Sequence, residues 1–411
     1  MKKRQAMRRA RRTLCVLLPI LVFSLAVLFI VSRRVEEARS RQETPSDYAD
    51  AETIPALTQE PEEPDQEPSE PPESTPSGTD TPDAAAEGAD DTPAVPEPEP
   101  EPVTLLFTGD VLLSDYVLEN YDRDGISGVL SPVLLEAMQT ADITVINNEF
   151  PFSTRGEQAP DKQFTFRVNP DYVRVLTDMG VDIAGIANNH VLDFGPDALL
   201  DTFETLENAG IDYMGAGSDL SRASALITKE VNGKTFGFLA ASRVIPVVSW
   251  DIKNASPGVF TTYDPALLLA AIKEARTHCD FLSVFVHWGI ERDEYPQDYQ
   301  VTMAQQYIDA GADLVVGAHP HVLQGIAYYE NKPVFYSLGN FIFNREIPRT
   351  AVLRVTVPPE GSPAFQLIAA SAANARTIAD DGDKRNAACD YLESISEGIV
   401  IDDEGIVTQA P

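Results

Sequence analysis

From Val103 onward two apolar patterns alternate along the chain. Short runs rich in Val, Ile, Leu and Phe predict buried strands at 103–108, 143–146, 225–231, 235–241, 281–288, 314–316, 332–343 and 351–357. Between them lie stretches whose apolar residues recur at helical spacing, at 131–142, 169–180, 194–210, 264–278 and 300–311. The 194–210 stretch has Pro196 in its first turn and Gly210 just past its end, the usual punctuation of a helix. GVDIAGIANNH, at 180–190, falls between two of the predicted helices. This alternation predicts an α/β domain with a mixed sheet or two packed sheets over residues 103–375. After Ala375 the pattern weakens, so 376–411 reads as a polar C-terminal extension ending in an exposed tail.

The amino-terminal quarter follows different rules. Seven Lys and Arg residues in 1–12 precede an apolar run at 13–32, long enough to cross a hydrocarbon core at about 1.5 Å per residue. The run is longer than a signal-peptide core, and no small-x-small cleavage site follows before Arg33 and Arg34. It reads as a retained transmembrane anchor. The basic cluster places the 1–12 segment in the cytoplasm and exports everything after the anchor. Residues 33–102 then form an acidic, Pro-rich linker with no Lys or Arg after Arg41, too poor in apolar surface to fold.

Charge narrows the partners. The chain carries −33 overall, of which residues 1–41 contribute +9, 42–102 contribute −19 and the remainder −23. A folded part this acidic has no basic footprint for nucleic acid. The same excess of acid argues against direct electrostatic capture of a polyanion unless cations bridge the two, and leaves the cell membrane, through the apolar run, as the partner expected from composition. Of three cysteines, Cys15 lies in the apolar run, and Cys279 and Cys389 can form at most one optional disulfide.

The candidate chemistry sits at strand ends. Asp110 follows the first predicted strand, and Glu149 follows the second in Asn147-Asn148-Glu149. His190, in Asn188-Asn189-His190, and His287 each follow an apolar run that looks like a strand, and Gly317 is expected to end the run before His319-Pro320-His321. Taken singly, Asp110 and Glu149 can serve as helix caps, Asn189 as a turn residue and His287 as a packed core imidazole. Carboxylate, amide and imidazole together at successive strand ends point instead to a divalent ion such as Mn, Zn or Fe, because calcium takes oxygen alone. The fifth histidine, His278, closes a predicted helix and needs no other explanation.

FTGDVLLSD, NNEFPFSTRGE, IANNHVLDFG, VFVHWGIERDEYPQDYQ and DLVVGAHPHVLQGIAYYENKPVFYSLGNFIF, in this order, resemble the CapA family of poly-γ-glutamate capsule synthesis proteins. The family's domain resembles calcineurin-like metallophosphoesterases. The resemblance implies a four-layer α/β/β/α sandwich outside the cell. It implies metal ligands at Asp110, Glu149, Asn189, His287, His319 and His321, and a proton donor at His190. Leu112 stands where the phosphoesterases usually carry a further histidine ligand, so one tight ion, or a second weaker one, is expected. The function implied is synthesis, export or attachment of an anionic capsule polymer at a metal-dependent hydrolase-like site. The alternatives are a secreted metallophosphoesterase for a nucleotide or wall phosphate, and a non-catalytic scaffold with a structural metal.

Overall fold

The computed structural model describes residues 101–410. The predicted cytoplasmic segment, the anchor and nearly all of the acidic linker lie outside these residues. Among the described residues no helix is long and apolar enough to cross a membrane.

Two mixed sheets organise the domain. The first is built from β1 (Val103–Val111), β2 (Ile143–Asn148), β3 (Ile183–Gly185) and β4 (Asp212–Met214), which run parallel in that order. The second holds β5 (Ile227–Val231), β6 (Lys234–Ser242), β7 (Phe281–His287), β8 (Leu314–Ala318), β9 (Ile326–Tyr329) and β10 (Lys332–Phe335), in the order β9-β10-β8-β7-β6-β5. Its central strands β6, β7, β8 and β10 are parallel. The chain then returns to the first sheet through β11 (Asn340–Ile342), which pairs with β1. The antiparallel run β12 (Ile347–Val357), β13 (Ala364–Ala373) and β14 (Arg376–Ala379) follows, with β12 on the same edge of β1 as β11, opposite β2.

Strand alternation sorts the second sheet's side chains into two environments. Phe236, Phe238, Ala240, Phe285, Leu314 and Val316 join the cluster that holds the first sheet. Leu239, Ala241, Leu282, Val284, Val286 and Val315 face the other way and pack with Leu268 and Ile272 of α5 (Ala266–Ala275) and Met303, Ala304 and Tyr307 of α6 (Asp298–Ala310). The rings of Phe107 on β1 and Phe238 on β6 meet between the sheets, 6.3 Å apart. Helices α2 (Pro132–Thr140), α3 (Val173–Met179) and α4 (Gly195–Asn208) bury Leu134, Met138, Leu176, Leu199 and Phe203 with the first sheet. A further helix, α1 (Asp115–Asp124), was not anticipated from the pattern, because only Val117 and Tyr121 of its ten residues are buried.

Three sequence expectations are corrected. Gly317 does not end its strand but lies inside β8. It is glycine because a Cβ there would stand 2.0 Å from the Tyr336 carbonyl oxygen and 2.3 Å from Trp288 Nε1, which donates to that same carbonyl. The apparent single strand at 332–343 is two, β10 and β11, which belong to different sheets. The turn between them uses Gly339 at φ 70°. The stretch after Ala375 is not a loose tail: β14 extends the first sheet, and α7 (Gly382–Ser394) buries Cys389 and Leu392 in the main core. A hairpin of β15 (Ile399–Ile401) and β16 (Val407–Gln409) adds Ile399, Ile401 and Val407. Cys389 and Cys279 are both free and lie in different apolar clusters.

Gly109 controls the approach of β11 to β1. A Cβ on it would stand 1.8 Å from the Gly339 carbonyl oxygen. Gly109→Ala is expected to destabilise the domain by about 3 kcal/mol, since backbone and not a flexible side chain must move. A lowered denaturant midpoint at unchanged slope is the measurement.

Candidate metal centre

The parallel strands of both sheets deliver polar residues from their carboxyl ends to one buried place. Asp110, near the end of β1, is fully buried, as is Glu149 just past β2. His287 ends β7, and His319 and His321 follow β8. Both of the latter hold left-handed backbone, with φ of 99° and 61°, a conformation that costs free energy for a residue with a Cβ. Pro320 between them and the bond from Arg292 N–H to the Pro320 carbonyl, 2.8 Å, hold the segment there.

Ligand-type atoms of Asp110, Glu149 and His321 lie within 4.8 Å of one another. Asp110 Oδ2 is 3.2 Å from His321 Nδ1, and Glu149 Oε1 is 3.4 Å from His287 Nε2. The His319 ring sits 4.7 Å from that of His287 and 5.8 Å from that of His321. Asn189 enters through its side-chain oxygen, which accepts from His287 Nε2 at 2.9 Å. The six residues predicted as ligands therefore share one neighbourhood, with Asp110, Glu149 and His321 at its centre.

Donors and acceptors there do not balance. The Asn147 amide nitrogen has two protons and three acceptors, Asp110 Oδ1 at 2.8 Å, Glu149 Oε1 at 3.1 Å and His287 Nδ1 at 3.3 Å. Glu149 Oε2, His319 Nδ1 and Asn148 Oδ1 are buried without any partner. Native interiors rarely leave such atoms unsatisfied. Burial, and then the neighbouring Asp110 carboxylate, push the Glu149 carboxyl well above its ordinary range. Burial works against a charge on His321, yet Glu149 and Asp110 outweigh it and raise the imidazole to about 10. Burial, followed by the other imidazoles, holds His287 well below the ordinary value and His319 at about 3. An acceptor-rich pocket that draws positive charge and keeps two imidazoles neutral fits a divalent cation.

His190 stands beside the innermost three residues. Its Nδ1 is 2.8 Å from Asp193 Oδ2 and 2.9 Å from Lys162 Nζ, and its ring lies 4.5 Å from that of Phe166. Asp193, fully buried, also accepts from Lys162 and from the Phe166 N–H. Burial lowers the basicity of His190, partly opposed by Asp193. Lys162 reaches in from the loop after β2 and also donates to the Asn189 carbonyl. With Nδ1 fixed on this side, Nε2 is the nitrogen left for a reacting partner.

Four residues of this neighbourhood escaped the sequence reading as site residues: Asn147, Lys162, Asp193 and Asn340. Asn340 pairs with Asp110 across β11 and β1 and accepts from His321 Nδ1 at 2.8 Å. Asn147 and Asn340 each lie in a strand-end motif quoted above, whereas nothing local marks Lys162. Asp193 carries a weak signal, a carboxylate three residues beyond a histidine on a turn. His278 lies far from this chemistry in role, exposed and paired with Glu274 at 3.1 Å.

The sequence profile of the bacterial capsule synthesis proteins, PGA_cap, matches residues 104–345. The chain belongs to this family. The match spans the whole centre from Asp110 to Asn340. Among its capsule-family relatives is the PGA biosynthesis protein CapA of Bacillus subtilis (strain 168), 33% identical over 288 residues that cover 68% of this chain and 74% of that one. The capsule biosynthesis protein CapA of Bacillus anthracis is 32% identical over 265 residues, covering 61% of this chain and 62% of that one. A solved structure of the sulfate thiohydrolase SoxB from Thermus thermophilus aligns over 71% of this chain and 59% of that one, at 13% identity and a TM-score of 0.38.

Proposed function

We propose that this capsule-family chain is a membrane-anchored, extracellular protein that takes part in the synthesis, export or attachment of poly-γ-glutamate or a similar anionic polymer. Its metallophosphoesterase-type domain would hold Mn, Zn or Fe at a hydrolase-like site and work beside membrane subunits of the same assembly. The observation that carries this reading is the convergence of Asp110, Glu149 and His321 within 4.8 Å, with unpaired buried acceptors around them, in a chain of this family. A bound divalent ion supplies a Lewis acid and an activated water. Asp110, Glu149 and His321 would hold it, with His287, His319 and the Asn189 amide beside them. Asn147 orients the carboxylates, Lys162 and Asp193 fix the His190 ring, and His190 carries a proton for a departing atom. The outward orientation is supported by the basic cluster that precedes the apolar run at 13–32.

The test is genetic. Deletion of the chain in its host should abolish surface-bound glutamyl polymer, and the parent copy should restore it, whereas an Asp110→Asn, Glu149→Gln double variant should not. Polymer left unchanged by the deletion refutes the reading. Restoration by the double variant favours the scaffold alternative, and Mn-dependent turnover of a simple phosphodiester by the purified chain favours the phosphoesterase alternative.

A further inference from the structure

Among the described residues, non-glycine residues with left-handed backbone fall into two groups. Asn232, Glu330, Asn331, Asn374 and Ala375 make the tight turns of the β5–β6, β9–β10 and β13–β14 hairpins, where such a backbone is usual. The rest lie at the centre or one contact from it: His319 and His321, Asp161 next to Lys162, and Arg292. Histidine and aspartate are enriched in this conformation, but arginine has no local reason to adopt it. Arg292, at φ 64°, is the third residue of a turn closed by the Asp293 N–H on the Ile290 carbonyl at 3.1 Å, a place that glycine usually takes. The fold holds the turn there all the same. The Arg292 N–H is bonded to the carbonyl of Pro320, the residue between His319 and His321. Buried Gln324, which accepts from Gln300 at 3.0 Å, donates to the Asp293 and Tyr295 carbonyls at 2.9 and 3.1 Å. Glu294 then reaches Arg349 on β12 at 3.9 Å. Because β12 is antiparallel to β1, its first residues lie at the end of β1 that carries Asp110. The loop after β7 thus crosses from the second sheet to the first at the end where the centre's residues gather, with Arg292 between the two crossing points. Burial lowers the basicity of Lys162 and Glu291 is among the carboxylates that oppose it, so this turn is within electrostatic reach of the ammonium beside His190.

Glycine would relieve this turn and give up only the side chain, so a strained arginine held by buried supports marks a side chain wanted where it stands. Strain of this kind clusters at binding and catalytic sites. The side chain is exposed, and its guanidinium fork matches a two-oxygen anion. The folded part, at −23, repels a polyanion, which therefore needs a fixed cation where it enters. We propose that Arg292 is a substrate-binding residue at the mouth of the metal centre, where it takes a free carboxylate of the anionic polymer, such as that of a γ-linked glutamate unit. The inference rests on the reading of this chain as a capsule-polymer protein and deepens it. A carboxylate carries one charge and a phosphate monoester close to two, so one arginine in an acidic field suits the carboxylate better.

The purified full-length chain is titrated calorimetrically with a γ-linked glutamate decamer, with a γ-linked glutamine decamer as the uncharged control and phenyl phosphate as the phosphate probe. Arg292→Gly removes the guanidinium and frees the turn, and Arg292→Lys keeps the charge and the strain without the fork. The Gly variant is expected to unfold at a temperature equal to or above the parent's, because glycine adopts this backbone without cost. It should nevertheless bind the glutamate decamer at least about 10-fold more weakly, with the Lys variant between the two. Metal content should not change, and the glutamine decamer should show no dependence on residue 292. The difference should persist after chelation, because the arginine contact does not pass through the metal. Failure of the metal reading would therefore appear as absent metal in the parent with the arginine effect intact. Equal binding of the glutamate decamer by the parent and the Gly variant overturns the proposal and leaves the polymer reading standing, whereas no binding by the parent overturns both. An arginine dependence seen for phenyl phosphate alone overturns the proposal as well. So does a Gly variant that loses stability together with binding, since the arginine would then be a structural part of the turn.

Discussion

His321→Ala is expected to leave the purified chain folded but without its metal ion. His321 is one of the three residues whose ligand atoms meet within 4.8 Å. Residues that merely orient ligands cost about 10- to 100-fold in affinity when removed, so loss of a ligand at the centre should exceed that. Elemental analysis of protein purified without chelator gives the outcome, and metal content equal to the parent's would refute the assignment. The fold should survive, because the ring's partners, Asp110 and Asn340, keep Asn147, the His319 N–H and the β1–β11 pairing. A pH dependence follows from the same residue. The folded imidazole is raised to about 10, so its proton-linked stabilisation is complete below the ordinary histidine pKa and is lost as the pH rises through about 10. A metal must displace that proton to use the ring. Its apparent affinity should therefore climb by about tenfold per pH unit between roughly 7 and 9, and more steeply where Glu149 also holds a proton. In His321→Ala this part of the slope should vanish.

His190→Ala is expected to do the opposite: metal retained, function lost. A general acid contributes typically about 10²- to 10⁴-fold, which in cells carrying the variant would appear as polymer reduced to background. The neighbourhood can absorb the truncation, since Asp193 still accepts from Lys162 and from the Phe166 N–H. The lost proton donor is thus separable from a collapsed loop. Retained metal with retained polymer would leave the centre without an acid at this position and favour the scaffold reading. Metal lost in step with polymer would instead make His190 a ligand. Lys162→Met provides a check on the same network, because it removes one of the two groups that touch Nδ1 while leaving the ring in place.

Local pattern determined much of this protein by itself. The apolar runs located the central strands, helical spacing located α2 to α6, and Asp110, Glu149, Asn189, His190, His287, His319 and His321 were legible because they follow such runs, where parallel sheets present their functional groups. Motif order also pointed to the family. What the sequence left undecided depends on distance along the chain. Asp110 and His321 are 211 positions apart and belong to different sheets, and only the packing of one sheet on the other brings them to 3.2 Å. Which residues form the innermost cluster, and that Asn147 and Asn340 pack against it, follow from the β1–β2 and β1–β11 registers. Gly317 looked like a break because a glycine's local meaning is freedom, whereas its role here, like that of Gly109, is to admit a neighbouring carbonyl. Lys162 carries no local signal at all, since burying an ammonium is tolerable only where a tertiary partner, Asp193, waits for it. The segment after Ala375 looked dispensable for a similar reason: its few apolar residues, among them Cys389, Leu392 and Ile401, are too sparse to form a pattern, and they become core only because the first sheet offers them a surface.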